Sequence, residues 1–155
     1  MNKKLLTILA LLIVVGSITA VSASGLGDLF VSEKNQTVSV GGLDFNLPAD
    51  YKEMQPSKNL TNQVAQYNKQ GLNLTFKFFA KDSQGIGIGV FNNLTDSQIS
   101  QLISSDNNTT TINGINGTLT KDSDGVSIFT YQKDGKVVMI TSTQNKDAIS
   151  KVIKA

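Results

Sequence analysis

Alternation of apolar and polar residues predicts β-structure over much of the chain. The segment 72–79, LNLTFKFF, is apolar at nearly every second position, which predicts a strand with one buried and one solvent-facing side. The segments 37–40 and 43–47 have the same character on either side of Gly41-Gly42, which reads as a turn or a bulge. Pro48 is expected to end the second of these strands, since proline cannot donate to a sheet.

The segment 86–91, IGIGVF, continues the alternation, with Gly87 and Gly89 opposite the apolar residues. Because glycine has no side chain, these two positions are expected to let a backbone segment or a helix approach closely. The segment 63–67, QVAQY, is read with this β-rich region after a polar connection. No helix is therefore predicted before residue 96.

A change to helical period predicts a short helix after residue 95. Thr95 and Gln98 form a capping-box pair, and Leu94 and Ile99 occupy the positions of a hydrophobic staple. An amphipathic helix is expected over 96–105, and a second one at the carboxyl terminus after Asn145, where the apolar stripe is Ile149, Val152 and Ile153. The apolar stripes of both helices are expected to face the sheet. The alternative is that they bind in a groove of a partner protein.

Two Asp-Gly dipeptides, Asp124-Gly125 and Asp134-Gly135, predict hairpin turns, because both central positions of such a turn need positive φ. They delimit a three-stranded meander at about 115–121, 126–132 and 136–143. The order of strands, helix, three strands and helix predicts an α+β domain, an antiparallel β-sheet with two short amphipathic helices packed on it.

The first residues predict export. A positive start, an apolar run over 5–16 and the small residues up to Ala23 are typical of a signal peptide cleaved between Ala23 and Ser24. An uncleaved membrane anchor is the alternative, because the weakly polar stretch 5–23 nearly reaches the length that spans a bilayer. The predicted division is a signal peptide at 1–23, a flexible spacer at 24–36 and a single α+β domain at 37–155, secreted or held at the cell surface without membrane contact after cleavage.

Charge and composition exclude several functions. The chain has 14 Lys and 12 acidic residues; the leader removes two Lys, so the mature charge is 12 − 12 = 0. No run of Lys along the sequence could follow phosphates, and nucleic-acid binding is not expected. The chain contains no His, Cys, Trp or Arg. Without these groups we expect no enzyme, no metal site and no cofactor, and no disulfide or Cys-linked lipid.

Four carboxylates form two pairs that could supply the acids of a hydrolase. The pairs are Asp44 with Asp50 and Asp122 with Asp124, and surface charge is the expected role of each. Residues 122–125, DSDG, resemble the start of a calcium loop but lack its later ligands, so the hairpin turn is favoured. Residues 113–117, NGING, lack a phosphate-loop Lys, so a tight turn or bulge is favoured. A hydrolase with paired acids or Ser and Lys is the least favoured function.

Acceptor sequences for N-glycosylation exceed the number expected by chance. The mature segment has 13 Asn and 25 Ser plus Thr in 132 residues, so 13 × 25/132 gives about 2.5 Asn-x-Ser/Thr sequences. The chain has seven, at Asn35, Asn59, Asn73, Asn93, Asn107, Asn108 and Asn116. Asn73 is expected on the solvent-facing side of its strand. We therefore predict glycosylation at some of these sites in a cell that modifies asparagine.

An extracellular small-ligand-binding module is the alternative function. It depends on an open aromatic pocket formed by Tyr51, Tyr67, Phe91, Phe129 and Tyr131. Aromatic residues more often lie in the core, and that placement is favoured here.

Three stretches resemble small exported proteins of uncharacterised function from methanogenic archaea. They are the leader KKLLTILALLIVVGSITAVSA, the segment GGLDFNLPADY, and INGINGTL followed by FTYQKDGKVVMI and a closing helix. The resemblance implies a cell-surface location and N-glycosylation, and it implies no catalytic residues. The layout is also similar to that of PsbP-like domains, by analogy of fold alone. The expected function is an exported, non-catalytic cell-surface or envelope-associated domain, binding or structural, whose partner is an envelope component or an extracellular ligand.

Overall fold

A computed structural model describes residues 34–103 and 108–154. The described residues form strands, which pair antiparallel with their neighbours, and three helices. The strands are β1 (Gln36–Val40), β2 (Leu43–Leu47), β3 (Lys52–Met54), β4 (Leu74–Lys81), β5 (Gln84–Phe91), β6 (Thr109–Ile112), β7 (Ile115–Lys121), β8 (Ser127–Lys133) and β9 (Lys136–Ser142). The helices are α1 (Lys58–Lys69), α2 (Asp96–Ile103) and α3 (Lys146–Val152). The predicted antiparallel α+β class is confirmed.

The structure has a central sheet covered on both faces. Seven strands pair in the order β3-β4-β5-β9-β8-β7-β6, while β1 and β2 form a separate hairpin. That hairpin and α3 pack on one face around a core that includes Phe45, Ile88 and Ile149. Helices α1 and α2 pack on the other face around a second core that includes Leu102 and Met139. Successive residues of a strand point to opposite faces, so the central strands supply both cores.

The predicted meander is confirmed as β7, β8 and β9, with strand bounds within one residue of those expected. Asp134 and Gly135 both have positive φ, at 51° and 72°, as a two-residue hairpin turn requires. Only Gly125 is positive in the other dipeptide, so the prediction that Asp124 shares this geometry is wrong. The connection there is a longer loop, because β7 ends at Lys121 and β8 begins at Ser127.

The two predicted helices are confirmed, and their start signals form the expected hydrogen bonds. The Thr95 amide donates to Gln98 Oε1 at 2.8 Å, and the Gln98 amide donates to Thr95 Oγ1 at 3.3 Å, which is a capping box. Asn145 Oδ1 accepts from the amides of Asp147 and Ala148 at the start of α3. The apolar stripes of both helices face the sheet, as expected.

The prediction of only two helices is wrong, because Lys58–Lys69 forms α1. Ser57 caps it, with its Oγ accepting from the Leu60 amide at 3.2 Å. The buried residues Leu60 and Tyr67, with the partly buried Val64 between them, are spaced four and three apart, which is a helical stripe. Reading Val64 and Tyr67 as part of a β-rich segment missed that spacing.

The predicted solvent-facing side of β4 is confirmed only in part: Thr75 is exposed and Lys77 forms an exposed ion pair with Glu53, but Phe79 on the same side is buried. Phe79 lies in the core under the hairpin, while Leu74 and Phe76 lie with the core under α1 and α2. Asn73 precedes β4 and has φ of 40°, so it lies in the turn that enters the strand and not on the strand itself.

The glycines of β5 accommodate side chains of the neighbouring strands. A β-carbon at Gly87 would lie 2.9 Å from Phe76 Cζ and 2.5 Å from Thr141 Oγ1. The expectation that a backbone segment or a helix approaches these glycines is therefore wrong, since an aromatic ring occupies the space.

Two short strands that were not predicted form the edges of the sheet, β3 and β6. Strand β3 pairs with β4 only over 78–80. Beyond it, the side chain of Asn68 bonds to both backbone groups of Leu74: Oδ1 accepts from the amide at 2.6 Å and Nδ2 donates to the carbonyl at 3.2 Å. Asn68 thus pairs with β4 where β3 does not reach.

Candidate functional sites

The candidate glycosylation sites lie on the surface. Every acceptor asparagine in the described residues is exposed, and Asn107 lies outside the described residues. Each of the seven acceptor sequences has Thr, not Ser, at its third position. The exposed acceptors are Asn35, Asn59, Asn73, Asn93, Asn108 and Asn116.

Asn73 and Asn93 occupy corresponding turns at one end of the paired strands β4 and β5. Both have positive φ, at 40° and 55°, and the backbone carbonyl of Asn73 accepts from the Asn92 amide at 3.1 Å. The Thr residues of their acceptor sequences, Thr75 and Thr95, are exposed as well. Both sequences are therefore reachable in the folded protein.

Asn59 lies in the first turn of α1, and Asn35 directly precedes β1. Their Thr residues, Thr61 and Thr37, are exposed. Thr61 Oγ1 donates to the Ser57 carbonyl at 3.1 Å, so that hydroxyl is held inside the helical turn. Asn35 is consequently the less constrained of these two acceptors.

Asn116 lies on β7 and is exposed, but its acceptor sequence takes part in the fold. Its Oδ1 accepts from Thr111 Oγ1 on β6 at 2.6 Å. Thr118 is only 6% exposed, and its Oγ1 donates to the Ile103 carbonyl at the end of α2 at 2.7 Å. Because the enzyme that attaches glycan must contact both Asn and Thr, the folded chain conceals this site.

The predicted cleavage site at Ala23 and Ser24, with the whole leader, lies outside the described residues. Within the residues that the structure does describe, no helix is long and apolar enough to cross a membrane.

The five aromatic residues of the alternative ligand pocket are buried, which agrees with the favoured placement in the core. They do not come together at one site. Tyr51, Phe129 and Tyr131 belong to the core beneath the β1–β2 hairpin, while Tyr67 and Phe91 belong to the core beneath α1 and α2. The sheet separates the two groups. An open pocket lined by all five rings is therefore not formed.

Two of these tyrosines differ in how their hydroxyls are held. Tyr51 Oη donates to Gln84 Oε1 at 3.2 Å and accepts from Gln144 Nε2 at 2.8 Å. Burial raises the pKa of Tyr51, and the bond from Gln144 opposes that rise. Tyr131, 1% exposed, has its pKa raised by burial alone, which keeps it neutral.

The carboxylates of the two predicted acidic pairs either have structural partners or lie exposed on the surface. Asp50 bonds to Lys81 Nζ at 2.9 Å, which raises the pKa of Lys81. Asp122 Oδ1 accepts from the amides of Asp124 and Val126, so it closes its own loop. Asp44 is exposed on β2. Across 34–103 and 108–154, no three acidic residues gather as a metal site would require.

The fold creates a cluster of lysines that the linear sequence does not reveal. Lys133 and Lys136 are cross-strand partners that flank the Asp134-Gly135 turn. Lys136 Nζ donates to the Gly41 carbonyl at 2.7 Å, and Lys133 Nζ donates to the Lys154 carbonyl at 3.1 Å. The β8–β9 turn is thereby tied to the hairpin and to the chain that follows α3.

We call Lys133, Lys136, Lys151 and Lys154 the basic end. The segments 131–137 and 149–154 that carry it contain one acid, Asp134. Fourteen residues separate the two pairs in the sequence, and the packing of α3 beside β8 brings the backbone of Lys154 within hydrogen-bond distance of Lys133 Nζ. Sequence reasoning missed this cluster because each pair alone is an ordinary surface feature.

No protein-family model matches the chain, no curated protein is significantly similar to it in sequence, and no solved structure is significantly similar to it in fold.

Proposed function

We propose that this chain is an exported, non-catalytic domain of the cell surface or envelope that carries N-linked glycans. The observation that carries the proposal is the exposure of every described acceptor asparagine, in a chain with about three times the acceptor sequences expected by chance. The leader sequence supports export, because it has the charge, apolar run and small-residue site of a signal peptide.

The distribution of the acceptors supports a shielding role for the glycans. They lie directly before β1, on α1, at one end of β4 and β5, and beside the β6 edge. No acceptor sequence follows Asn116, so β8, β9 and α3 carry none. Glycans at these positions would cover several sides of the domain, including the end of the sheet at which Asn73, Asn93 and Asn116 lie.

The inventory of side chains supports a non-catalytic role. The whole chain lacks His, Cys and Arg, and therefore the commonest general base, the thiol nucleophile and the bidentate guanidinium. The buried aromatic residues give no support to the alternative of a small-ligand pocket, because the sheet divides them.

Intact-mass analysis of the native exported protein tests the proposal. We expect an amino terminus at Ser24 and a mass above that of residues 24–155 by whole glycan units. A variant with Gln at all seven acceptor positions should lose that added mass. A native protein that retains Met1 and has the unmodified mass contradicts both the processing and the glycosylation.

A further inference from the structure

We infer that the basic end, formed by Lys133, Lys136, Lys151 and Lys154, binds an anionic polysaccharide. The inference deepens the proposed function and rests on it for the external location of the partner. It assigns the surface formed by these four lysines to a polymer that bears repeated carboxylate or sulfate groups.

The first observation is a pair of like charges that no ion pair among the described residues offsets. Lys133 and Lys136 face each other across the β8–β9 turn, and like charges at paired positions destabilise a sheet. Neither ammonium forms an ion pair with a carboxylate of the described residues. An anion bound between them would relieve this repulsion.

The second observation is that both ammonium groups are already positioned. Each donates one hydrogen bond to a backbone carbonyl, of Gly41 or Lys154, and an ammonium has three donors. Two donors therefore remain on each nitrogen for a ligand or for water. Because these long side chains are held before binding, less side-chain entropy is lost when an anion binds.

The third observation is a charge asymmetry in a neutral protein. Four Lys and Asp134 give the basic end a charge of 4 − 1 = +3, whereas the mature segment sums to zero. The remainder therefore carries −3. A local excess of one sign attracts polyanions although the net charge does not.

The surroundings favour a polysaccharide over other polyanions. No Tyr or Phe of the described residues is exposed, and the chain has no Trp or Arg. Nucleic-acid bases therefore have no exposed aromatic ring to stack on, and a protein partner finds few of the side chains that usually dominate an interface. Binding must then depend on the lysine charges, which require repeated anionic groups on the ligand but little complementarity of shape.

The basic end lies at the opposite end of the sheet from Gln36, the first residue of β1. Gln36, near the start of the described chain, donates to the Tyr51 carbonyl, and the Tyr51 hydroxyl bonds to Gln144. Gln144 follows the last residue of β9, Ser142, whereas Lys136 is its first residue, and the two ends of the strand are roughly 20 Å apart at the rise of a strand.

Binding to immobilised dextran sulfate, with neutral dextran as reference, tests the inference with the full exported protein. We expect binding to dextran sulfate alone, weakened by raising salt from about 20 to 150 mM. Replacing both Lys133 and Lys136 by Gln should weaken it about tenfold or more. Because Lys136 also ties the β1–β2 turn, the variant Lys151→Glu with Lys154→Glu gives a second measure that leaves both lysine bonds intact.

The matched control removes the same charge from the opposite end, with Lys121→Gln and Lys146→Gln. We expect its affinity to stay within about twofold of the parent. An equal loss in the control, or no loss in both basic-end variants, overturns the inference, as does a failure to bind dextran sulfate. Tighter binding to anionic lipid vesicles or to DNA overturns the choice of polysaccharide. None of these results alters the glycan mass, so the proposed function is judged separately.

Discussion

Phe129 on β8 covers Gly117 on β7 so closely that no side chain fits at position 117. A β-carbon there would lie 2.7 Å from Phe129 Cζ and 2.5 Å from the Thr130 carbonyl oxygen. The backbone oxygen cannot move without breaking the sheet. We therefore expect Gly117→Ala to lower the free energy of unfolding by about 2–3 kcal/mol, measured by urea denaturation.

Gly114→Ala is the control for this prediction. Gly114 has φ of 77°, and a β-carbon there meets no atom within 4 Å. Only backbone strain opposes the substitution, so we expect a loss of about 1 kcal/mol. A Gly117→Ala variant no less stable than Gly114→Ala would show that β7 and β8 pack more loosely than described.

Asn116 is expected to receive glycan before folding but not after it. Thr118 is buried and bonded to the Ile103 carbonyl, whereas Thr37 beside Asn35 is exposed. When the folded, unmodified chain is incubated with a glycosylating membrane extract, peptide mass mapping should find glycan at Asn35 and none at Asn116.

The Gly117→Ala variant tests the same prediction about Asn116, because it preserves the acceptor sequence and destabilises the strand that contains it. We expect this variant to be modified at Asn116 more than the parent under the same conditions, since local opening exposes Thr118. Equal modification of Asn35 and Asn116 in the folded parent would contradict the prediction.

Tyr131 should make the protein sensitive to alkali. Burial raises its pKa above the usual 10.0. Its stabilising contribution is therefore complete below pH 10 and is lost as pH rises above 10, where only the unfolded chain releases the proton. We expect the free energy of unfolding to fall by up to about 1.4 kcal/mol per pH unit from this group.

Tyr131→Phe should reduce that slope at pH 10–11, measured by denaturant titration at several pH values. Tyr51→Phe is the comparison, and it should reduce the slope less, because the hydrogen bond that Tyr51 Oη accepts from Gln144 opposes the rise of its pKa. A Tyr131→Phe variant that keeps the parental slope would place the alkaline sensitivity elsewhere.

Asn145 is expected to stabilise α3 through its side chain. Asn145→Ala removes the acceptor for the amides of Asp147 and Ala148, and we expect a loss of about 1 kcal/mol in thermal or urea unfolding. Asn62→Ala, at an exposed position inside α1, should be neutral or slightly stabilising because Ala is the better helix former. If Asn62→Ala lowered the free energy of unfolding as much as Asn145→Ala, the capping role of Asn145 would be contradicted.

The sequence predicted the elements whose local signals agree with their packing. The capping box at Thr95 and the Asp134-Gly135 turn each depend on neighbouring residues, and both formed as expected. Helix α1 was missed because Leu60 lies in a polar stretch that resembles a loop, while Val64 and Tyr67 were assigned to the β-rich segment that follows. The β6 strand was missed because Thr-rich segments at a sheet edge have no buried alternation to reveal them.

The remaining differences concern contacts between distant segments. The pattern of β4 indicates one buried face, but the exposure of the other depends on the β1–β2 hairpin, which no local signal places there. Likewise Lys133 and Lys154 meet only through the docking of α3. The exposure of the acceptor asparagines was predictable, whereas the burial of Thr118 required knowledge of where α2 ends.

Asn68 has a consequence for self-association. Unpaired backbone groups at a sheet edge allow another chain to add as a further strand. By bonding both backbone groups of Leu74, Asn68 occupies part of the edge of β4 that β3 leaves open. An incoming strand would have to displace two hydrogen bonds formed within the same chain, so a single amide side chain helps keep this edge resistant to aggregation at high local concentration.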